Sequence, residues 1–355
     1  MITITLTYRD RDLGIVKKCL DSLLAQTLTD FKVILVDYGS KTSFAKPLKA
    51  LVSNYSFVKL ISCSVKGQLW NKSRAINIAL KKCLTPYIFI GDIDMIYHQD
   101  FINELNHIKN EKIATYFKVG FLNKAESAVC KKFEAYNIAF KSNKEATGMT
   151  LYSTHNLKSI NGFDEFYNGW GSEDTDVHIR LQNLGLKINY YDEKILILHQ
   201  WHHKNYRNKN SKAPFHTGLE QINNAYLELT KKTGKIKANQ NYNWGQYNKM
   251  DYETLNKVNQ SYLLTNKEDE VKAFIYNVLA TITGAVIEVK ITKHIDYKSI
   301  KQKAKLVFGK KTIKFLEMEV VNNLLLEYII NNLRNCAYRF EYNRKNKTIN
   351  LRIKL

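Results

Sequence analysis

An alternation in the first quarter of the chain constrains the fold more than any other feature. ITITLT (2–7), KVILVD (32–37) and YIFIG (87–91) are apolar runs of strand length. Between them, LGIVKKCLDSLLAQ (13–26) and NKSRAINIALKKCL (71–84) carry apolar residues at helical spacing. FVKLIS (57–62) reads as a further strand. Strands that alternate with helices pair in parallel, because a parallel crossover needs a dozen or more residues and a helix fills it. The chain is therefore expected to be α/β, with helices on both faces of its sheet. In such sheets, ligands collect at the carboxyl ends of the strands. Asp37 and the pair Asp92 and Asp94 stand at such ends.

The pair lies in GDID, directly after the apolar run YIFIG. Residues i and i+2 of a strand face the same side. An extended Asp92-Ile93-Asp94 would aim both carboxylates one way and anchor Ile93 the other way. Two carboxylates that close repel unless a cation sits beside them. Hard oxygen ligands suit magnesium or manganese. An isolated Asp-x-Asp is more often a solvated turn; the buried strand before this one argues otherwise.

A second acidic cluster lies in NGFDEFYNGWGSEDTD (161–176). Glu173, Asp174 and Asp176 fall in the first turn of a helix expected over 172–185, with Ser172 as N-cap and Gly185 as stop. The helix dipole favours negative charge there. Glycines let a ligand approach the backbone closely, and Trp170 offers a flat apolar wall suited to a sugar ring. HQWHHK (199–204) follows the strand-like KILIL (194–198) and holds His199, His202 and His203. An imidazole could complete a metal site that mixes oxygen and nitrogen ligands. His199 is the first choice and His202 the second.

Later segments read less sharply. IATYFKVGFL (113–122) and GMTLYS (148–153) resemble strands, and residues 216–262 are polar, aromatic and helical in part. From residue 265 the chain turns lysine-rich, and it ends in RFEYNRKNKTINLRIKL, a hairpin centred on Asn346. The organisation expected is a first domain over 1–215, with halves 1–110 and 111–215. A helical linker follows over 216–264, then a basic α+β domain over 265–355.

The formal charge is +21. Such a surface is drawn to anions: nucleic acid, an acidic membrane face, or an acidic glycan or nucleotide. Zinc spacing, a helix-turn-helix signature and RNA-binding aromatic motifs are all missing, which disfavours a nucleic-acid-binding protein. Cys19, Cys63, Cys83, Cys130 and Cys336 are odd in number, none is spaced as CxxC, and several sit in apolar patterns. They read as reduced thiols of a cytoplasmic protein. The N-terminus lacks the pattern of a signal peptide. The run AFIYNVLATITGAVI (273–287) is shorter than the roughly 20 residues a membrane span needs and reads as a buried helix entering a strand.

Together these segments resemble glycosyltransferase family 2 on the GT-A fold, a Rossmann-like mixed sheet with helices on both faces. SLLAQTLTDFKVILVDYGS (22–40) is similar to the family's first nucleotide-binding segment, KSRAINIAL (72–80) to its basic helix, and GDID to its DxD element. INGFDEFYNGWGSEDTDVHIRLQNLG (160–185) is similar to the C-terminal motif of β-1,4-galactosyltransferases and bacterial chondroitin-type polymerases. Two positions depart from the family: Leu6-Thr7-Tyr8-Arg9 replaces Pro-Thr-Tyr-Asn, and Tyr38 replaces a second aspartate.

The resemblance implies an inverting, metal-dependent transferase. The donor would be a UDP-sugar (galactose, N-acetylgalactosamine or N-acetylglucosamine), and the acceptor a glycan or lipid-linked glycan of a bacterial capsule or lipopolysaccharide. It further implies that Thr7, Tyr8 and Asp37 line the uridine pocket and that Arg74 lies near the diphosphate. Asp92 faces the ribose or a metal-bound water. Asp94 with His199 or His202 binds manganese or magnesium. Trp170 and Gly171 shape the sugar and acceptor site, Glu173 orients the acceptor, and Asp174 is the base. The alternatives are a GT-A domain that binds sugar nucleotides without catalysis and a nucleic-acid-binding protein that uses the basic tail; the positive charge would equally suit docking on an anionic membrane.

Overall fold

The computed structural model describes residues 1–203 and 213–355. Among these, two compact units separate. The first comprises residues 1–63, 70–203 and 220–246; the second comprises 64–69, 213–219 and 247–355.

The first unit begins as the apolar alternation predicts: β1 (Ile2–Tyr8), α1 (Leu13–Leu24), β2 (Phe31–Tyr38), α2 (Thr42–Val52), β3 (Val58–Cys63), α3 (Lys72–Lys82) and β4 (Tyr87–Asp92). Next come β5 (Met95–Tyr97), α4 (Phe101–Ile108), β6 (Ile113–Phe117), β7 (Val119–Leu122) and α5 (Lys124–Ala128). The unit continues through β8 (Ile138–Lys141), β9 (Thr150–Ser153), α6 (Thr154–Ser159), α7 (Glu173–Asn183), β10 (Lys187–Tyr191), β11 (Ile197–His199) and α8 (Leu219–Thr233).

Seven strands form the main sheet in the order β10-β6-β9-β4-β1-β2-β3. β1 pairs in parallel with β2 and β4, and β2 with β3, while β9 runs antiparallel between β4 and β6. The sheet is therefore mixed. Its two faces bury separate cores. Phe89 of β4 joins a cluster with Leu20 of α1, Leu48 of α2 and Phe101 of α4. Ile88 and Ile90 point the other way, to Ile76 of α3, Leu157 of α6 and Val177 of α7. This is the three-layer α/β arrangement expected from unbroken apolar strands.

Two local expectations are corrected. Residues 113–122 are not one strand. β6 belongs to the main sheet and β7 to a small sheet ordered β5-β11-β7-β8, with Lys118 at the break. Nor is Asp92-Ile93-Asp94 extended. β4 stops at Asp92, and a turn carries Ile93 and Asp94 into β5. Ile93 does anchor the turn, buried in the core.

The second unit holds α9 (Lys249–Thr254), β12 (Gln260–Thr265), α10 (Glu268–Ala273), β13 (Val286–Thr292), α11 (Ile300–Val307), α12 (Met318–Asn332), β14 (Tyr338–Asn343) and β15 (Thr348–Lys354). Its sheet is ordered β12-β13-β15-β14, and β14 and β15 form the hairpin expected at Asn346. α10 runs into a wide π turn over Phe274–Leu279 before β13, close to the expected helix-to-strand passage. Segment 64–69 belongs here through backbone: Phe340 N–H donates to Gly67 O (2.9 Å), and Leu69 N–H to the Tyr338 hydroxyl (3.0 Å).

Candidate active site

Strand pairing assembles one cluster. β11 runs antiparallel to β5, with His199 opposite Met95, and Gln200 N–H donates to Asp94 O. That register brings Asp94, His199 and His202 together, with one donor atom from each within 4.8 Å of the others. His202 Nε2 lies 3.0 Å from Asp94 Oδ2, and His199 Nε2 lies 3.8 Å from Oδ1. His202 is thus nearer than the first-choice His199, whose ring stacks on Phe121. Arg11, which the sequence reading did not single out, stands 3.2 Å from Asp94 Oδ2. Burial pushes the Asp94 carboxyl up, but His202, His199 and Arg11 outweigh it and hold it below the usual carboxylate range. Burial lowers the pKa of His199 against the pull of Asp94, which favours the neutral ring that can offer a lone pair. Asp94 Oδ1 is buried and accepts no hydrogen bond among the described residues. One carboxylate oxygen and two imidazole nitrogens at this spacing fit a divalent transition-metal cation that accepts mixed oxygen and nitrogen ligands. Arg11 supplies the neutralising charge that such an ion would share.

A second cluster surrounds Lys72, the first residue of α3. Its Nζ lies 3.1 Å from Asp92 Oδ1, 3.6 Å from Asp174 Oδ2 and 3.7 Å from Glu173 Oε1. Lys72 therefore links the end of β4 to the start of α7. Burial disfavours its charge, but the three carboxylates outweigh that and raise its pKa well above normal. Asp174 is pushed up to about 7 by burial first, against Lys72, with Glu173 and Asp92 adding to the rise. Its Oδ1 is buried and without a hydrogen-bond partner among the described residues. Gly148 lines the same spot, where an added Cβ would come within 3.2 Å of Asp174 Oδ2.

The sequence shows Lys72 plainly, but the family resemblance places Arg74, not Lys72, near the diphosphate. Helix register decides otherwise for the carboxylates. Asn71 caps α3 by accepting from Arg74 N–H (2.7 Å), so Lys72 opens the helix and Arg74 turns inward. Arg74 is buried, with Nε 2.6 Å from Glu165 Oε2, and its charge acts on the Tyr38 phenol.

The GWGS run gets its shape from backbone that L side chains rarely adopt. Gly169, Gly171 and Ser172 have φ of 74°, 102° and 72°. Gly169 N–H donates to Trp70 O (2.7 Å), which ties the run to the entry of α3. Trp170 is left 52% exposed. Ser172 holds the N-cap position of α7 but makes no capping bond; its hydroxyl lies 2.6 Å from Asn224 Oδ1. Ser172 is thus the N-cap residue expected, without the side-chain bond that usually goes with it.

Thr7, Tyr8 and Asp37 are buried at the carboxyl ends of β1 and β2. Asp37 Oδ1 accepts from Ser40 N–H (3.1 Å), and burial raises its carboxyl. Beside them Arg9 lies 5.6 Å from the ring centres of both Tyr38 and Trp70, and its Nε donates to Tyr38 O (2.7 Å). The two departures from the family pattern, Arg9 and Tyr38, thus contact each other. A depression of about 600 Å³ lined by Lys49, Val52, Tyr55 and Leu60 lies along β3, and none of the candidate residues lines it.

Residues 3–120 match the family model described as glycosyl transferase family 2, and residues 128–204 match that of the N-terminal domain of galactosyltransferase. Residues 3–120 therefore carry a region like that of glycosyl transferase family 2. Lys72 contacts residues from both matched regions: Asp92 in the first, Glu173 and Asp174 in the second. No curated protein matches the sequence. Among solved structures, the chain is similar to S. aureus TarS 1–349 in complex with UDP, with 15% identity, TM-score 0.44 and coverage of 56% of this chain and 59% of that one. The longer S. aureus TarS structure gives the same identity and TM-score, with 36% of that chain covered. GalNAc-T7 with UDP, GalNAc and Mn2+ is similar at 12% identity and TM-score 0.48, covering 65% of this chain and 48% of that one. In each case less than two thirds of the solved chain's length is spanned.

Proposed function

We propose that the chain transfers a hexose or N-acetylhexosamine from a UDP-sugar to a glycan hydroxyl, with inversion, in the synthesis of a bacterial surface polysaccharide. The observation that carries this reading is the triangle of Asp92, Lys72 and Asp174, one turn of chain away from the Asp94 and histidine cluster.

Asp174 is the base in this reading. Its Oδ1 is unpartnered, its pKa of about 7 suits proton capture from an alcohol near neutral pH, and Gly148 leaves space beside it. As the acceptor hydroxyl gives its proton to Asp174, its oxygen bonds to the anomeric carbon. The bond from that carbon to the diphosphate breaks, and its electron pair leaves on UDP. A single displacement inverts the centre. Lys72 provides fixed positive charge between the base and the leaving group. Asp94, His199 and His202 would hold a divalent cation, which supplies charge neutralisation for the diphosphate. Thr7, Tyr8 and Asp37 take the uridine side, with Arg74 behind them, and Trp170 and Gly171 flank the sugar. Glu173 orients the acceptor.

A panel of nucleotide sugars scored for UDP release tests the reading. Release with one UDP-sugar that disappears in Asp174→Asn supports it. UDP binding without turnover for any donor and acceptor pair makes the chain a sugar-nucleotide-binding domain instead.

A further inference from the structure

We infer that α11 of the second unit is a docking element for an anionic lipid surface. Ile300, Ala304, Val307 and Phe308 recur at i, i+4, i+7 and i+8, the stripe a globular helix normally turns inward. Here the stripe faces out. Ile300 is 85% exposed, Val307 82% and Phe308 76%, and Leu306 is also exposed. The side chain that α11 buries is polar: Gln302, whose Oε1 accepts from Ile313 N–H (3.1 Å). The helix is therefore seated on its polar face. Its base is fixed as well, since Phe315 packs on Tyr297 and His294, and Leu316 N–H donates to Asn266 O.

Charge selects the partner. From Tyr297 to Leu316 the chain carries seven lysines and no acidic residue. Lys301, Lys303, Lys310 and Lys311 are exposed around the apolar stripe. Each lysine near an acidic leaflet adds attraction, and apolar side chains that enter the headgroup boundary add hydrophobic burial. A nucleic acid would use the lysines but would leave Ile300, Val307 and Phe308 in water, so a lipid surface fits both halves of the pattern. No described helix is long and apolar enough to cross a membrane; this contact lies on the surface. The inference stands independently of the transferase reading.

Co-sedimentation of the full chain with vesicles is the test. Vesicles of phosphatidylcholine with phosphatidylglycerol should carry it down at low salt, and phosphatidylcholine alone should not. The combined change Ile300→Ser, Val307→Ser, Phe308→Ser should cut partition about tenfold, and so should Lys301→Gln with Lys303→Gln, Lys310→Gln and Lys311→Gln. The difference emission spectrum of Phe308→Trp should shift to the blue on the anionic vesicles, a readout that needs no destabilising change. A wild-type chain that stays in the supernatant overturns the inference. So does a triple-serine variant that binds as well as wild type. If that variant also retains salt-sensitive shifts of duplex DNA, the lysines serve nucleic acid instead.

Discussion

Asp174 and Lys72 form a pair in which each controls the other's charge. The Asp174 carboxyl near 7 means that this group, the base in the proposed reading, is ionised only above neutrality. kcat/KM should therefore fall about tenfold per pH unit below that point and level off above it. Lys72→Met removes the cation that holds the carboxyl down, so the acid limb should move to higher pH; an unmoved limb would detach Lys72 from the base. Asp174→Asn should reduce turnover on the order of 10²- to 10⁴-fold. It should also stabilise the fold, and the sign follows from linkage. A carboxyl whose folded pKa exceeds its unfolded value of roughly 3.9 binds more protons when folded, so ionising it costs stability as pH rises through that window. Asp174→Asn should then raise Tm at pH 8 and change it little at pH 4, as thermal melts at the two pH values would show.

At the scale of elements, α7 delivers Glu173 and Asp174 because its far side is fixed by charge. Arg180 and Asp176 are fully buried, with Nε and Oδ2 2.7 Å apart, and Arg180 donates to the carbonyls of Ile160 and Gly162. Arg180→Met leaves Asp176 with Tyr167 and Thr230 but no cation, and should cost about 3–5 kcal/mol in urea unfolding. A loss under 1 kcal/mol would show that the hydroxyls suffice. The frame that carries these elements was legible in the sequence where apolar runs and turn residues agreed, as in β1, β2, β4 and α3. α2 was not, because Pro47 interrupts an otherwise helical stripe of Phe44, Leu48, Leu51 and Val52. β8 was hidden by its exposure and brevity, and the break at Lys118 by continuous apolar residues on both sides. Within the candidate site, acids and histidines announced themselves by type and position. Lys72 and Arg11 did not, since one depends on helix register and the other on a loop brought near by β5 and β11.

For the whole molecule, ligand linkage reports on the first unit without a turnover assay. Anything that binds the folded state alone raises Tm, with about 2.7 kcal/mol gained at a hundredfold excess over Kd. Manganese with UDP should raise Tm, and His202→Ala should abolish the manganese increment while leaving the melt in its absence nearly unchanged. An increment that survives in Asp94→Ala would move the ion elsewhere. The second unit has a different bearing on the molecule. Residues 64–69 lie early in the chain, yet their backbone is satisfied by residues near its end. No single peptide bond therefore parts the two units. A gene shortened after codon 246 would still encode two stretches of the second unit, and residues 64–69 would lose their hydrogen-bonding partners Tyr338 and Phe340. The basic unit is thus drawn from three separate stretches of chain, interleaved with the first unit along the sequence rather than appended after it.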